Sequence, residues 1–189
     1  GNQLISKETA GGKSVVVIEK GEPKSCNIVT SCEGKGKTFI MFSDDLDKAL
    51  ATFVLANGAA ATGQKVTIFF TFWGLNVIKK LHKPNVEKDI FGKMFGMMLP
   101  SSSRKLKLSK MSMGGIGGKM MRYIMNRKGI DSLESLRQQA LENGVEFIAC
   151  QMSMDVMGVK QEELLDEVTI GGVATYMERA DNANINLFI

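Results

Sequence analysis

Short apolar runs alternate with helix-forming segments along most of this chain, and that alternation limits the fold more than any other feature of the sequence. Residues 38–42, 65–70 and 145–150 are runs of this kind, with few polar residues among them. Strands of a parallel sheet have this character when helices cover both faces. Between the first two runs, apolar side chains recur at helical spacing, at Leu46, Ala49, Leu50, Phe53 and Val54. The sequence therefore predicts an α/β fold with a mostly parallel sheet.

The remainder of the chain supplies more elements of the same two kinds. One helix is predicted from an acidic cap at Asp131 to a stop signal at residues 143–144. Strands at 168–170 and 186–189 bring the sheet to about five strands. The helix predicted between them has the apolar stripe Val173, Tyr176, Met177 and Ala180.

The first residues differ from this pattern. Residues 1–22 predict a β-hairpin, because two β-prone runs flank a Gly-Gly turn signal, and 23–36 predict a linker. We therefore divide the chain into residues 1–36 and a main α/β domain, 37–189.

Residues 74–130 interrupt the alternation and are predicted to be an insertion rich in methionine and positive charge. They hold eight of the thirteen methionines, several of them on two amphipathic segments: Phe91, Met94, Phe95, Met97 and Met98; Met120, Met121, Ile124 and Met125. Between Lys79 and Lys128, thirteen Lys or Arg residues face two acidic ones, so this stretch carries +11 although the whole chain carries +4. The insertion is either core packing with a solvated basic face, or a lid, an oligomer contact or a membrane-surface helix. In the functional interpretation, the positive charge of the insertion docks a partner or a membrane surface, and the insertion closes over Cys150.

Composition argues against several classes of protein. Three cysteines in 189 residues are too few for a disulfide scaffold, and one histidine without a C-x-x-C motif argues against a zinc site. No run of about 18 uncharged apolar residues is present, and no signal segment opens the chain, so we expect a cytoplasmic protein with reduced thiols. Two glycine-rich stretches, 31–38 and 114–119, lack the residues of a phosphate-binding loop, so no nucleotide cofactor is expected.

Cys150 is the strongest candidate for a reactive residue because it ends a buried strand. Open parallel sheets bind ligands beyond the carboxyl ends of their strands, and residues 151–158 are predicted to form a loop there. A thiolate at such an edge is a nucleophile when N–H groups or positive charge stabilise it. The structural alternative is a small apolar side chain packed in the sheet.

The strand ends and the residues after Cys150 supply a candidate pocket: Asp45, Trp73, Gln151, Ser153, Asp155, Gly171 and Gly172. Asp45 is alternatively a helix-start residue, and Trp73 a packing residue. Cys26 and Cys32 are either incidental linker thiols or resolving thiols for an oxidised Cys150.

Four segments of the main domain resemble the DsrE/DsrF-like family, in the same order along the chain. They are KTFIMFSDDLDKA at 37–49, ANGAA at 56–60, FFTFWGL at 69–75 and ACQMSMDVMG at 149–158, the last being similar to the family's cysteine loop. The resemblance implies a three-layer α/β/α fold, homo-oligomers, and a persulfide relay in sulfur metabolism with Cys150 as the active cysteine. It implies sulfur donor and acceptor proteins as partners. No cofactor, metal or nucleic acid is expected.

Residues 1–20 resemble the last hairpin of a TusA-like domain, without that domain's Cys-Pro motif. The resemblance also implies a larger parent chain similar to flavin-dependent disulfide reductases, in which such domains often occur. Two other functions stay open. One is a thiol peroxide or disulfide reductase that uses Cys150 with Cys26 or Cys32. The other is a non-enzymatic assembly or membrane-surface module that uses the Met-rich insertion and would be membrane-associated.

Overall fold

The computed structural model describes residues 3–10, 13–19, 36–82, 84, 86 and 90–189. The chain divides into two units, Gly1–Glu33 and Gly34–Ile189. In the first unit, strands β1 (Gln3–Ala10) and β2 (Lys13–Glu19) pair antiparallel, as predicted for a hairpin. The Gly-Gly turn and most of the predicted linker lie outside the described residues.

The second unit alternates strands and helices as the sequence predicts: β3 (Gly36–Met41), α1 (Leu46–Ala61), β4 (Val66–Phe70), α2 (Ile90–Met98), α3 (Ile116–Arg127), α4 (Leu133–Glu142), β5 (Glu146–Cys150), α5 (Gln151–Met157), β6 (Thr169–Gly171), α6 (Val173–Asp181) and β7 (Ala183–Phe188). Within the described residues, its five strands form one sheet in the order β6-β5-β4-β3-β7, and every neighbouring pair is parallel. The predicted α/β fold with a mostly parallel sheet is confirmed.

Helices pack on both faces of this sheet. On the first face, α1 packs on β3 and β4, and α4 packs on α1. The centre of that core is a triangle of Phe53, Phe70 and Phe147, whose ring centroids are 5.4 to 6.4 Å apart. Burying each such side chain contributes about 1.5–3 kcal/mol to folding. The second face carries a smaller cluster under α6.

Three local predictions about the helices are wrong. The apolar stripe of α1 is narrower than predicted, because the helix contacts the sheet along one line and leaves Val54 exposed. α6 likewise buries Tyr176 while Val173 and Met177 are exposed. The cap of α4 is not Asp131 but the next residue: the Ser132 hydroxyl accepts the Ser135 N–H at 3.1 Å.

The predicted insertion is partly core and partly surface. Its start overlaps the 3-10 helix Phe72–Ile78, which buries Leu75, Val77 and Ile78 in the first core. The core-packing interpretation is wrong for six of its methionines, which are exposed: Met94, Met97, Met98, Met111, Met113 and Met120. The side chains of Phe91 and Phe95 lie outside the described residues. Within the described part of the chain, every helix is too short or too polar to cross a membrane.

Candidate functional site

Cys150 is the last residue of β5 and lies at the carboxyl edge of the sheet. Its side chain is on the α6 face and only 2% exposed, in a cluster with Phe69, Ile148 and Tyr176. It is a free thiol and the only cysteine in the part of the chain that the structure describes. No member of this cluster comes from the described part of residues 74–130, and closure of the insertion over Cys150 stays a prediction. The thiol is covered by α6.

Tyr176 and Arg179 hold α6 on this face of the sheet. The Tyr176 ring lies 5.2 Å from the Phe69 ring, centroid to centroid, and its hydroxyl is 3.3 Å from Thr38 Oγ1. One turn further on, Arg179 donates two hydrogen bonds, 2.9 and 3.1 Å long, to the Glu146 carboxylate. These bonds lower the pKa of Glu146, so this carboxylate is ionised at neutral pH.

The two predicted glycines lie where β6 leads into α6, beside the thiol. Gly171 is the parallel partner of Cys150, and Gly172 is the residue before α6. A Cβ at Gly171 would lie 2.8 Å from Ile148 Cγ2, closer than two carbon atoms approach, so a larger residue would displace this side chain or the backbone. Gly171 thereby lets α6 pack closely beside the thiol.

The predicted loop after Cys150 is wrong, because residues 151–157 form helix α5. The segment contains no glycine or proline before Gly158, and its methionines and glutamine are good helix formers. Gly158, at φ +60°, then ends the helix in the left-handed conformation.

The three predicted pocket residues on α5 do not converge on the thiol as one group. Gln151 and Asp155 are exposed, and Gln151 Nε2 donates to Asp155 Oδ1 at 3.0 Å. Ser153 is fully buried, and its hydroxyl lies 2.8 Å from the hydroxyl of Thr71. This bond joins α5 to the end of β4 and so fixes the helix that follows Cys150.

Asp45 and Trp73 line a separate, half-open cavity of about 650 Å³. The rest of its lining comes from the end of α2 and the segment after it, including Met97 and Lys105, and Cys150 is not part of it. The Asp45 carboxylate also accepts the Ser43 hydroxyl and pairs with the Lys48 ammonium, both at 2.8 Å. Asp45 therefore lies at the start of helix α1, as the alternative to a pocket role predicts.

Asp44, on the wall of the same cavity, is a residue that sequence reasoning did not select for the pocket. Asn76 is fully buried and donates from Nδ2 to Asp44 Oδ2 at 3.0 Å, while Asn76 Oδ1 has no hydrogen-bond partner among the described residues. Burial raises the pKa of Asp44, and the bond from Asn76 opposes that effect without cancelling it. The only sequence signal was a polar Asn76 within an otherwise apolar run.

Replacing Asp44 with asparagine is expected to raise the melting temperature at pH 7. A carboxyl whose pKa is raised by folding destabilises the folded state wherever it is ionised in both states, and asparagine keeps an oxygen acceptor for Asn76. The gain should shrink as the pH falls through the folded pKa of Asp44 and vanish below its unfolded pKa of about 3.9. Thermal melts of both proteins between neutral and acid pH measure the difference. An equal or lower melting temperature for Asp44→Asn at pH 7 would contradict this account of Asp44.

The fold and the thiol together define an α/β protein with a buried cysteine at the carboxyl end of a parallel strand. In the described part of the chain, no three His, Cys, Asp or Glu side chains are grouped as metal ligands would be. The chain belongs to the DsrE/DsrF/DrsH-like family, whose model matches residues 34–188.

Two relatives and one solved structure illustrate this similarity. The chain is 44% identical over 155 residues to the uncharacterized protein YrkE of Bacillus subtilis, covering 82% of this chain and 97% of the relative. It is 38% identical over 161 residues to the sulfur carrier protein DsrE2 of Allochromatium vinosum, covering 83% and 99%. The crystal structure of the YchN protein from E. coli aligns with 82% of this chain and 99% of its own, at 10% identity and a TM-score of 0.46. That last likeness is too distant to support an argument.

Proposed function

We propose that this protein relays sulfur, taking up sulfane sulfur as a persulfide on Cys150 and passing it on. The observation that carries the proposal is the free Cys150 thiol at the carboxyl edge of the sheet, surrounded by apolar side chains. Family membership and the 38% identity to a protein named as a sulfur carrier support a sulfur-relay role in general. The partners in this proposal are sulfur donor and acceptor proteins.

The relay consists of two thiol exchanges that balance without a cofactor. The Cys150 thiolate attacks the outer sulfur of a donor persulfide, a new S–S bond forms on Cys150, and the donor leaves as its thiolate. An acceptor thiolate then attacks the outer sulfur of the Cys150 persulfide, and Cys150 leaves as a thiolate. The outer sulfur moves twice and there is no net oxidation or reduction.

In this proposal, the burial of Cys150 under α6 protects its persulfide. A persulfide is open to attack by any thiol that reaches it, and Phe69, Ile148 and Tyr176 exclude solvent from this position. Exchange with a partner then requires α6 to move away from the sheet. In this proposal, α6 separates a storage state from a transfer state.

The direct test is intact-mass spectrometry after treatment with a persulfide donor. We expect the wild-type protein to gain the mass of one sulfur atom and to lose it when an acceptor thiol is added. A protein that never gains this mass while its thiols react normally with iodoacetamide after unfolding would rule out the relay.

Replacing Tyr176 with alanine is expected to speed the alkylation of Cys150 by N-ethylmaleimide. The change removes an aromatic pair and a hydrogen bond, each worth about 0.5–1.5 kcal/mol, so opening should become roughly five- to 150-fold more frequent. Peptide-resolved mass spectrometry would follow Cys150 separately from Cys26 and Cys32.

Met177→Ala is the matched control for this experiment, because Met177 is the next residue of α6 and half exposed. Its alkylation rate should equal that of the wild type. Equal rates in all three proteins would mean that Tyr176 does not limit access to the thiol.

Several expectations stay predictions. Three come from the resemblances: the homo-oligomer, the TusA-like origin of the hairpin and the flavin-dependent disulfide reductase-like parent chain. A fourth, an association with membrane surfaces, comes from the charge and methionines of the insertion.

A further inference from the structure

Helix α3 exposes a stripe of four apolar side chains on one face and packs its glycines against the rest of the domain. Ile116, Met120, Tyr123 and Ile124 follow the i, i+4, i+7, i+8 spacing of one helix face, and all four are exposed, Ile116 and Tyr123 by 64% and 65%. Gly117, Gly118 and Met125 are buried on the rest of the helix, and Met121 is partly buried against the main core. An amphipathic helix that had only the main core to cover would not keep a second, exposed apolar face.

This orientation of α3 is fixed by tight packing. A Cβ at Gly117 would collide with the Met111 carbonyl oxygen, and one at Gly118 would lie 3.2 Å from the Leu106 carbonyl oxygen, so the helix rests directly on the preceding backbone. On the same helix, Arg122 donates to the Ser103 carbonyl at 3.0 Å. The packing of α3 therefore keeps this apolar stripe on the outside of the folded protein.

The stripe adjoins the concave surface described above. Ser112 lines the 650 Å³ cavity, and the 3-10 helix Met113–Gly115 connects Ser112 to the start of α3. Met97 and Met98 on the cavity wall are among the most exposed apolar side chains of the protein. We call the α3 stripe together with Met97 and Met98 the methionine surface. Methionine suits such a surface because its flexible side chain adapts to different partners.

Charge decides what can cover the methionine surface. Residues 90–130 contain nine Lys or Arg residues and no Asp or Glu, and seven of these cations are exposed: Arg104, Lys105, Lys107, Lys110, Lys119, Arg127 and Lys128. A second copy of this surface would bring like charges together, which is unfavourable. The occupant is therefore negatively charged.

Shape favours a protein over a membrane. A planar lipid surface cannot follow a concave wall, whereas protein side chains can enter it. We propose that the methionine surface binds an acidic protein partner, whose apolar side chains pack on the α3 stripe and whose carboxylates pair with the surrounding cations. The proposal goes beyond the sulfur relay, because binding here does not need Cys150 to carry sulfur.

The test uses the full chain with Cys150→Ser, so that its outcome is independent of sulfur transfer. The probe is a synthetic amphipathic helical peptide of leucine, phenylalanine and glutamate, and its counterpart has lysine for glutamate. Fluorescence anisotropy should show binding of the acidic peptide, weaker at high salt, and no binding of the basic one.

Two variants should each weaken that binding by roughly tenfold or more. Met120→Glu with Tyr123→Glu removes the apolar contact, and Lys105→Glu, Lys107→Glu and Lys110→Glu together reverse the charge. The control is Val173→Glu with Met177→Glu, an equally exposed apolar pair on α6, which should bind like the parent protein.

Three results would overturn the proposal: no binding of the acidic peptide, equal binding by all variants, or equal binding of the basic peptide. Co-sedimentation with vesicles of phosphatidylglycerol and phosphatidylcholine distinguishes the membrane alternative. Vesicle binding that Met120→Glu with Tyr123→Glu abolishes, without peptide binding, would assign the surface to lipid. Should that pair lower the melting temperature, Met120→Ser with Tyr123→Ser repeats the test without added charge.

Discussion

Replacing Cys150 with serine is expected to abolish the mass gain of one sulfur atom after persulfide loading. A serine hydroxyl is not ionised near neutral pH and is not a nucleophile toward persulfide sulfur under these conditions. The fold should survive, because the change is nearly isosteric and burying the hydroxyl costs about 1–2 kcal/mol. Intact-mass spectrometry and circular dichroism on the same sample separate the loss of loading from a loss of folding.

Cys26→Ser and Cys32→Ser are the matched controls, and both should load like the wild type. A relay needs no second thiol on the same chain, whereas a peroxide or disulfide reductase needs one to resolve the oxidised cysteine. Loading that persists in Cys150→Ser would refute the assignment of Cys150. If Cys150 is intact and either linker variant loses turnover of peroxide or disulfide, the reductase function is the correct one.

Replacing Gly74 with alanine is expected to destabilise the fold by about 3 kcal/mol, at the upper end of the overpacking range. A Cβ at Gly74 would collide with the carbonyl oxygen of Met41, the last residue of β3. That oxygen already accepts the Thr71 N–H at 3.0 Å, and Gly74 N–H itself donates to the Phe42 carbonyl at 2.8 Å. The backbones of Met41 and Gly74 therefore cannot move apart without breaking one of these hydrogen bonds. The melting temperature should fall by roughly 6–12 °C.

Gly58→Ala, in the same domain, is expected to have the opposite effect on stability. Gly58 lies inside α1, is exposed, and has no atom within 4 Å of the place that a Cβ would occupy. Alanine there should stabilise the protein by about 0.5–1 kcal/mol, because glycine loses more backbone entropy in a helix. Thermal melts of both variants measure the contrast. A Gly74→Ala protein as stable as the wild type would show that β3 and the 3-10 helix are not packed as described.

The fold could be predicted from the sequence because its strands are apolar on both faces and its helices on one. The burial of Cys150 under α6 could not be predicted in this way. Along β5, Phe147 and Ala149 point to one face and Ile148 and Cys150 to the other, and this alternation can be read from the residues. All four are apolar, however, so the pattern does not say which helix covers which face.

The methionine-rich segment shows a second limit of sequence reasoning. The predicted apolar face of Met120, Met121, Ile124 and Met125 is divided in α3, where Met125 is buried while Met120 and Ile124 are exposed. Whether the face points inward depends on the other side, where Gly117 and Gly118 pack against backbone rather than against side chains. Glycine looks like a weak helix former in sequence, and its value as a close-packing residue appears only when the neighbouring backbone is in place.

The strand order also has a consequence during synthesis on the ribosome. β3, β4 and β5 leave the ribosome in the order in which they pair, whereas β7 must return to β3 past them. The Lys37 ammonium and the Asn184 side-chain oxygen, 2.5 Å apart, join residues separated by 147 positions. Contacts between such distant residues form late because a long stretch of chain must be ordered first. Of the described elements only β7 follows α6, so a nascent chain exposes Cys150 until α6 emerges late in synthesis, and this thiol is most open to stray oxidants while the protein is being made.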